Sequence, residues 1–237
     1  MNMTSESYDG QIWDNYADDF LAIMPSMMLE VNKEVADLAT GDVIDFGCGA
    51  AKIAPFVLDN CNVKSYTGID YSLDMVKLAH WHLQQFPQKP SEIIHGKIES
   101  IDVEPYEVEV VPGYPVILSK RQYDFGLSIN SYYAWDDTEK ILHVIYNSLR
   151  VGARFVLVTP NNKLDIIKIL DEVKKEQVAN PHYERFRKKN ISIVGNKNSV
   201  FIDMDDLILQ AHRIGFKVCE AHQKFYYRGL NYLVLMK

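Results

Sequence analysis

The chain has 237 residues, 47% of them apolar, and carries 32 acidic against 25 Lys and Arg side chains for a net charge of −7. That length suits one α/β domain with elaborations, and the acidic balance argues against a nucleic-acid partner contacted over a broad phosphate footprint. Cys48, Cys61 and Cys219 lie far apart, without metal-ligand or disulfide-framework spacing, so a cytoplasmic, reducing compartment is expected. Residues 1–10 are polar and acidic, unlike a signal or transit peptide, and no apolar run approaches the about 18 residues of a membrane span.

Residues 11–39 read as helical: Trp13, Tyr16, Ala17, Phe20 and Met24 keep helical spacing, Pro25 interrupts, and the pattern resumes from Met27 to Leu38. Gly41 ends this stretch, 42–46 is a buried first strand, and 52–58 a helix. Residues 65–70 form a second strand ending in Asp70. Ser72 suits the N-cap of a helix over 73–86, with Asp74 in its first turn. Pro87 and Pro90 break the chain before a third strand at 91–95. Within 104–122, two β-prone runs flank Pro112-Gly113-Tyr114-Pro115, the pattern of an inserted hairpin.

Residues 123–129 read as a fourth strand, 138–149 as a helix, and 153–158 as a fifth strand after Gly152. An amphipathic helix is expected over 162–178. Segment 179–202 joins a basic run (Arg185, Arg187, Lys188, Lys189) to two apolar runs around Gly195-Asn196-Lys197-Asn198, read as a second hairpin. Asp203 caps a helix over 204–214, which Gly215 stops. The β-like stretches 216–227 and 232–236 close the chain as an antiparallel pair. The fold class is therefore α/β: an open, mostly parallel, Rossmann-like sheet with helices on both faces.

The most informative stretch is Val43-Ile44-Asp45-Phe46-Gly47-Cys48-Gly49-Ala50-Ala51-Lys52. An apolar strand ends near an acid, and two glycines let the backbone turn sharply and approach a ligand with no Cβ in the way. This strand–turn–helix context is that of nucleotide sites in open α/β sheets. An acid before the first glycine repels a pyrophosphate and favours a ligand with an ammonium group. An ordinary strand–helix turn is the plainer alternative.

In order and spacing, four features resemble class I S-adenosylmethionine-dependent methyltransferases of the small-molecule branch. They are Asp45-Phe46-Gly47-Cys48-Gly49, Asp70 at the end of strand two, Gly96-Lys97-Ile98-Glu99 after strand three, and the closing β-pair. Trp13-Asp14-Asn15-Tyr16-Ala17 is similar to the helix that covers the cofactor's methionine end in that branch. The chain departs from the pattern at Ala51, where the family has a third glycine, and at Lys97, where an acid usually reads the adenine amino group.

The resemblance implies one methyltransferase domain over 1–237, with cofactor-covering helices in 1–40 and hairpin or lid insertions at 104–122 and 179–202. It implies S-adenosyl-L-methionine as donor, S-adenosyl-L-homocysteine as product, and a small-molecule acceptor methylated on N or O. It also implies a cofactor set of Tyr16, Asp45, Gly47, Cys48, Gly49, Asp70, Tyr71, Met75, Lys97, Ile98, Glu99 and Asn130. In this set Asp70 accepts from the ribose hydroxyls, Tyr71 and Met75 pack beside the adenine, and Glu99 or a backbone group reads the adenine edge. Asn130 stands where donor and acceptor meet, and Tyr16 closes over the cofactor. No nucleic acid or membrane partner is expected, and a homodimer is compatible with the chain.

Loop 131–136 holds Tyr132, Tyr133 and Trp135 at a strand end, where ligands sit in such sheets. All three are substrate-side candidates. Aromatic faces attract a sulfonium as they do other cations, by ~0.5–2 kcal/mol, although one or two of these rings could simply pack the loop down. Tyr132 is the foremost candidate for a catalytic role, and His143, one turn into the next helix, is a candidate base. His182 in the lid segment is another. His80 and His82 are two apart on a helix and point to different faces, so they make no metal pair, and no metal is expected. Strand four ends in Ser128-Ile129-Asn130-Ser131 rather than the Asp/Asn-Pro-Pro-aromatic element of DNA and protein-amide methyltransferases. Two other readings stay open. One is a non-catalytic S-adenosylmethionine-binding interaction module. The other is a nicotinamide-dependent oxidoreductase, which wants a further glycine where Lys52 stands.

Overall fold

The computed structural model of the protein describes Trp13, residues 16–101 and residues 122–237. The hairpin expected within 104–122, together with Asp14 and Asn15, lies outside the described residues. Helices α1 (Ala17–Ala22) and α2 (Ser26–Asp37) part at Pro25. Proline suits the start of a helix but has no N–H to continue one.

Seven strands follow: β1 (Gly41–Phe46), β2 (Val63–Asp70), β3 (Ser91–His95), β4 (Tyr123–Ile129), β5 (Leu149–Pro160), β6 (Lys217–Lys224) and β7 (Leu230–Met236). Between them run helices α3 (Ala54–Asp59), α4 (Leu73–Leu83), α5 (Thr138–Ser148), α6 (Ile166–Glu176), α7 (Tyr183–Val194) and α8 (Met204–Ile214). The strands form one sheet in the order β3-β2-β1-β4-β5-β7-β6, parallel through β5, with β7 antiparallel to both its neighbours.

The strand order reverses between β1 and β4, and such a switch point opens a crevice at the carboxyl ends of the strands. Because β1 and β4 lie mid-sheet with both faces covered, they read as continuous apolar runs rather than alternating ones. One face packs Val31, Val57, Val76 and Phe125; the other packs Ile44, Leu142, Phe155 and Leu207. A third cluster, with Tyr16, Ile23, Ile169 and Tyr183, ties α1 to α6 and α7.

Asp19 on α1, 3% exposed, binds His182 Nδ1 at 2.7 Å and Arg185 at 2.8 Å, which pins α1 to α7. The Ser26 N–H donates to Glu176 at 2.8 Å, joining α2 to the end of α6. Together α1, α6 and α7 make a cover next to the strand ends.

The second expected hairpin is corrected here. Residues 183–194 are helix α7 and 196–202 a loop whose Val200 N–H donates to the Tyr133 carbonyl at 2.9 Å. The physical reason is periodicity. Tyr183, Phe186, Asn190 and Ile193 fall at helical steps, and the three hydrophobic residues among them bury on one face. The β-branched tail Ile191–Val194 is only the last turn of that pattern. Likewise α6 begins at Ile166 rather than 162, because Asp165 caps it by accepting from the Lys168 N–H at 3.0 Å.

Candidate functional site

The glycine turn after β1 is held from behind. Gly47 and Cys48 both donate their N–H to the Ile69 carbonyl, at 2.9 and 3.0 Å, and the Gly49 N–H donates to Asp70 Oδ2 at 2.8 Å. The turn's donors are thus consumed by β2, so it offers close backbone approach but no cradle of free N–H groups for a phosphate. Gly47 has φ 74°, and a Cβ there would stand 2.4 Å from Ser131 Cβ. Only glycine meets both demands. Ala51, in the place of the family's third glycine, keeps a left-handed φ of 53° and is fully buried.

Asp70 accepts from the Ser72 N–H with its other oxygen, at 2.9 Å. Burial raises its pKa, against the pull of the Ser72 and Gly49 N–H groups. Asp45 is 3% exposed, and burial lifts its carboxyl to about 7, although the Tyr66 hydroxyl donates to it at 2.7 Å. Lys52 is also buried; it donates to the Ile23 carbonyl, lies 4.0 Å from the Phe20 ring centre, and is pushed down to about 7 by desolvation.

These groups line a cavity of about 280 Å³ at the switch point. All twelve expected cofactor residues border it: Tyr16, Asp45, Gly47, Cys48, Gly49, Asp70, Tyr71, Met75, Lys97, Ile98, Glu99 and Asn130. Cys48 is buried, and burial sends its thiol pKa well up, so its part is structural. Lys97 is exposed, with Nζ 5.0 Å from the Tyr71 ring centre. Tyr16 lies under the cover, and its hydroxyl accepts from Asn190 Nδ2 at 2.9 Å. Of the aromatic loop, Tyr133 and Trp135 face the cavity. Ser131 holds Trp135 in place by accepting from its Nε1 at 3.2 Å.

Two expectations fail. Tyr132 is fully buried away from the cavity, packs on Trp135 with ring centres 5.0 Å apart, and donates to Gln210 on α8 at 2.7 Å. Burying such a ring in the core outweighs presenting it to a cavity, since each large apolar side chain contributes roughly 1.5–3 kcal/mol when buried. His143 sits on the exposed side of α5 and does not reach the cavity. His182 is taken up by Asp19. Among the described residues, no three His, Cys, Asp or Glu side chains gather as a metal site, and no helix is long and apolar enough to cross a membrane.

Three cavity residues carried no role in the sequence reading. Lys52 stands inside the motif, so its position was visible but its burial was not. Asn190 comes from α7, hidden by the hairpin reading. Tyr226 comes from the β6–β7 turn, where Phe225, Tyr226, Tyr227 and Arg228 all have positive φ, 55°, 43°, 57° and 69°. No sequence signal announces four consecutive left-handed residues without a glycine among them.

A family model described as a methyltransferase domain matches residues 20–221. No curated protein matches the chain. Several solved structures share the fold at low identity. A proposed S-adenosyl-L-methionine-dependent methyltransferase from Methanococcus maripaludis has a TM-score of 0.58 at 16% identity, covering 100% of this chain and 97% of that one. A SAM-dependent methyltransferase from Aquifex aeolicus has a TM-score of 0.57 at 16% identity, covering 93% and 97%. A mycolic acid cyclopropane synthase solved with SAH and CTAB has a TM-score of 0.64 at 10% identity, covering 96% and 98%.

Proposed function

The chain belongs to the methyltransferase domain family, and from that premise we propose that it moves the methyl group of S-adenosylmethionine to a nitrogen or oxygen of a small molecule. The observation that carries the small-molecule part is enclosure. The cavity lies between the strand ends and a cover of α1, α6 and α7, which suits a compact acceptor better than a polymer.

The residues fit the donor. Gly47 leaves room that any Cβ would fill, and the spent N–H groups of the turn suit a ligand without phosphate. The unshared lone pairs of Asp70 suit a ribose diol. Buried Asp45 favours the donor's ammonium group, and buried Lys52 its carboxylate. Tyr71, Met75 and Ile98 supply apolar walls for the adenine. When bound, the cofactor supplies a methyl carbon already electrophilic through the sulfonium.

The remaining task for the protein is alignment and exclusion of water, worth on the order of 7–11 kcal/mol in favourable cases. Trp135, held by Ser131, and Tyr133 form an aromatic wall at the reacting end. The acceptor's lone pair forms the new bond to carbon, the C–S electron pair stays on sulfur, and the acceptor's proton leaves to water. No side chain facing this end is a conventional base near neutrality, which favours an intrinsically good nucleophile.

Calorimetry with S-adenosylhomocysteine tests the donor half: saturable binding is expected, and its absence from the wild-type protein would sink the reading. Incubating cell extract with isotopically labelled donor and the protein, then following label by mass spectrometry, identifies the acceptor. Donor binding with no label transferred would point instead to a non-catalytic binding module.

A further inference from the structure

The cavity has a second half that the donor does not account for. Its wall from α6, α7 and the loop after α7 includes Ile169, Val173, Phe186, Val194 and Phe201, and among the cavity-lining residues of this wall there is no charged side chain. A charge placed against that wall would be desolvated without a partner, at a cost of several kcal/mol.

One polar point breaks the apolar lining. Asn130, at the end of β4, borders the cavity with φ 55°, and its Oδ1 is buried with no partner. Its side chain shares a hydrogen bond with Tyr226. Since Oδ1 is free, the amide nitrogen is the donor to the phenol oxygen, which leaves Oδ1 as the open end. Both residues stand in left-handed backbone conformation, and Tyr226 does so within a run of four. Such conformations cost of order 1–3 kcal/mol each and persist where the surroundings hold them. A buried carbonyl oxygen left unpaired costs ~1–3 kcal/mol more. Two strained segments, far apart in sequence, therefore converge to hold one acceptor oxygen at the edge of an apolar chamber.

We propose that this chamber binds the methyl acceptor, and that the acceptor is a neutral molecule with an apolar body ending in one amine or hydroxyl, whose N–H or O–H is accepted by Asn130 Oδ1. Tyr226 is a positioning residue: it fixes the amide so that the carbonyl, not the NH₂, faces the chamber. The apolar body lies against α6 and α7. A ligand N–H or O–H completes a bond that the protein leaves unmade, so the polar end is selected by more than an ordinary exposed contact. The inference rests on the donor reading above, because it assigns the half of the cavity that the donor leaves.

The test uses full-length protein saturated with S-adenosylhomocysteine and three probes with one body: 4-propylaniline, 4-propylphenol and propylbenzene. All are neutral at pH 7; the first two carry the donor and the third does not. Titration calorimetry is expected to show the aniline or the phenol binding at least about fivefold tighter than propylbenzene. Asn130→Gly, which suits the left-handed backbone, is expected to bring that ratio within twofold while S-adenosylhomocysteine affinity stays within threefold. Tyr226→Phe is expected to lower the ratio partway with donor-product affinity unchanged. Val194→Trp, at a half-buried position on the wall, is expected to remove binding of all three probes and leave S-adenosylhomocysteine bound. The proposal is overturned if no probe binds the saturated wild-type protein, if propylbenzene matches the other two, or if Val194→Trp binds them undiminished. It is also overturned if Asn130→Gly weakens S-adenosylhomocysteine while keeping the ratio, which would give Oδ1 to the cofactor's ammonium. Failure of wild-type protein to bind S-adenosylhomocysteine would instead count against the donor reading.

Discussion

The donor half of the cavity is drawn from residues 45–99, the ends of three consecutive parallel strands, whereas the acceptor half gathers Trp13, Asn130, Tyr133 and Trp135, residues of α6 and α7, and Tyr226. The first half is polar and tightly bonded: Asp45 to Tyr66, Asp70 to the Gly49 and Ser72 N–H groups. The second is apolar, and its cover hangs on a few cross-links, such as Asp19 with His182 and Arg185 and Tyr16 with Asn190. A site that must recognise one invariant ligand can be written into a short rigid motif. A site for a variable acceptor is assembled from pieces that pack by shape.

The contrast can be broken most severely at Gly47. Gly47→Ala adds a Cβ against Ser131 at a φ of 74°, and is expected to cost about 2–4 kcal/mol in urea unfolding and to abolish S-adenosylhomocysteine binding. Retention of tight binding would show that the turn is not the donor's bed. Asp70→Asn is the next largest. It keeps shape but loses the charged acceptor, and a loss of roughly 1.5–3 kcal/mol in donor-product affinity is expected by calorimetry, with binding of the neutral probes unchanged in the variant's saturated form.

The buried charges of the donor half give that half a pH signature the acceptor half lacks. Asp45 rises from 3.8 to about 7 in the folded protein, so its contribution to stability is fully present below pH 4 and is lost as pH climbs through 7. Lys52 falls from 10.5 to about 7, so its contribution is present above pH 10.5 and is lost as pH drops through 7. Scanning calorimetry of the ligand-free protein is expected to show Asp45→Asn gaining on wild type between pH 4 and 7. Lys52→Met is expected to hold an advantage below pH 7 that fades toward pH 10. Parallel curves for either variant would remove that group from the account.

Two smaller effects sharpen the comparison. Tyr16→Phe removes the acceptor of the Asn190 amide and is expected to cost ~0.5–1.5 kcal/mol. Hydrogen exchange should speed in α7 before it does in β1 or β2. Ala51→Gly relieves a left-handed alanine at φ 53° and is expected to stabilise by about 0.5–1 kcal/mol, visible as a raised urea midpoint.

Much of the donor half was legible in the sequence because its determinants are local. A strand that ends in Asp45, glycines at 47 and 49, and an acid at 70 state their positions by spacing alone, and β3, β4 and α8 fall where periodicity and caps put them. Where the sequence misled, a short run was read without its context: Ile191–Val194 looks like a strand until Tyr183 and Phe186 extend its period into α7. Tyr132, Tyr133 and Trp135 are chemically alike in sequence, and only packing against α8 decides that Tyr132 turns inward while the other two face the cavity.

By itself, then, the sequence determined the α/β alternation, the sharp turn after β1 and the acids beside it, since backbone freedom and strand periodicity act within a few residues. The tertiary structure alone decided which aromatics serve the site, that Lys52 is buried, and that Asn130 meets Tyr226 from the far side of the sheet. Those outcomes depend on contacts between segments that no local propensity brings together, and their energies come from burial and pairing that exist only once the chain has folded.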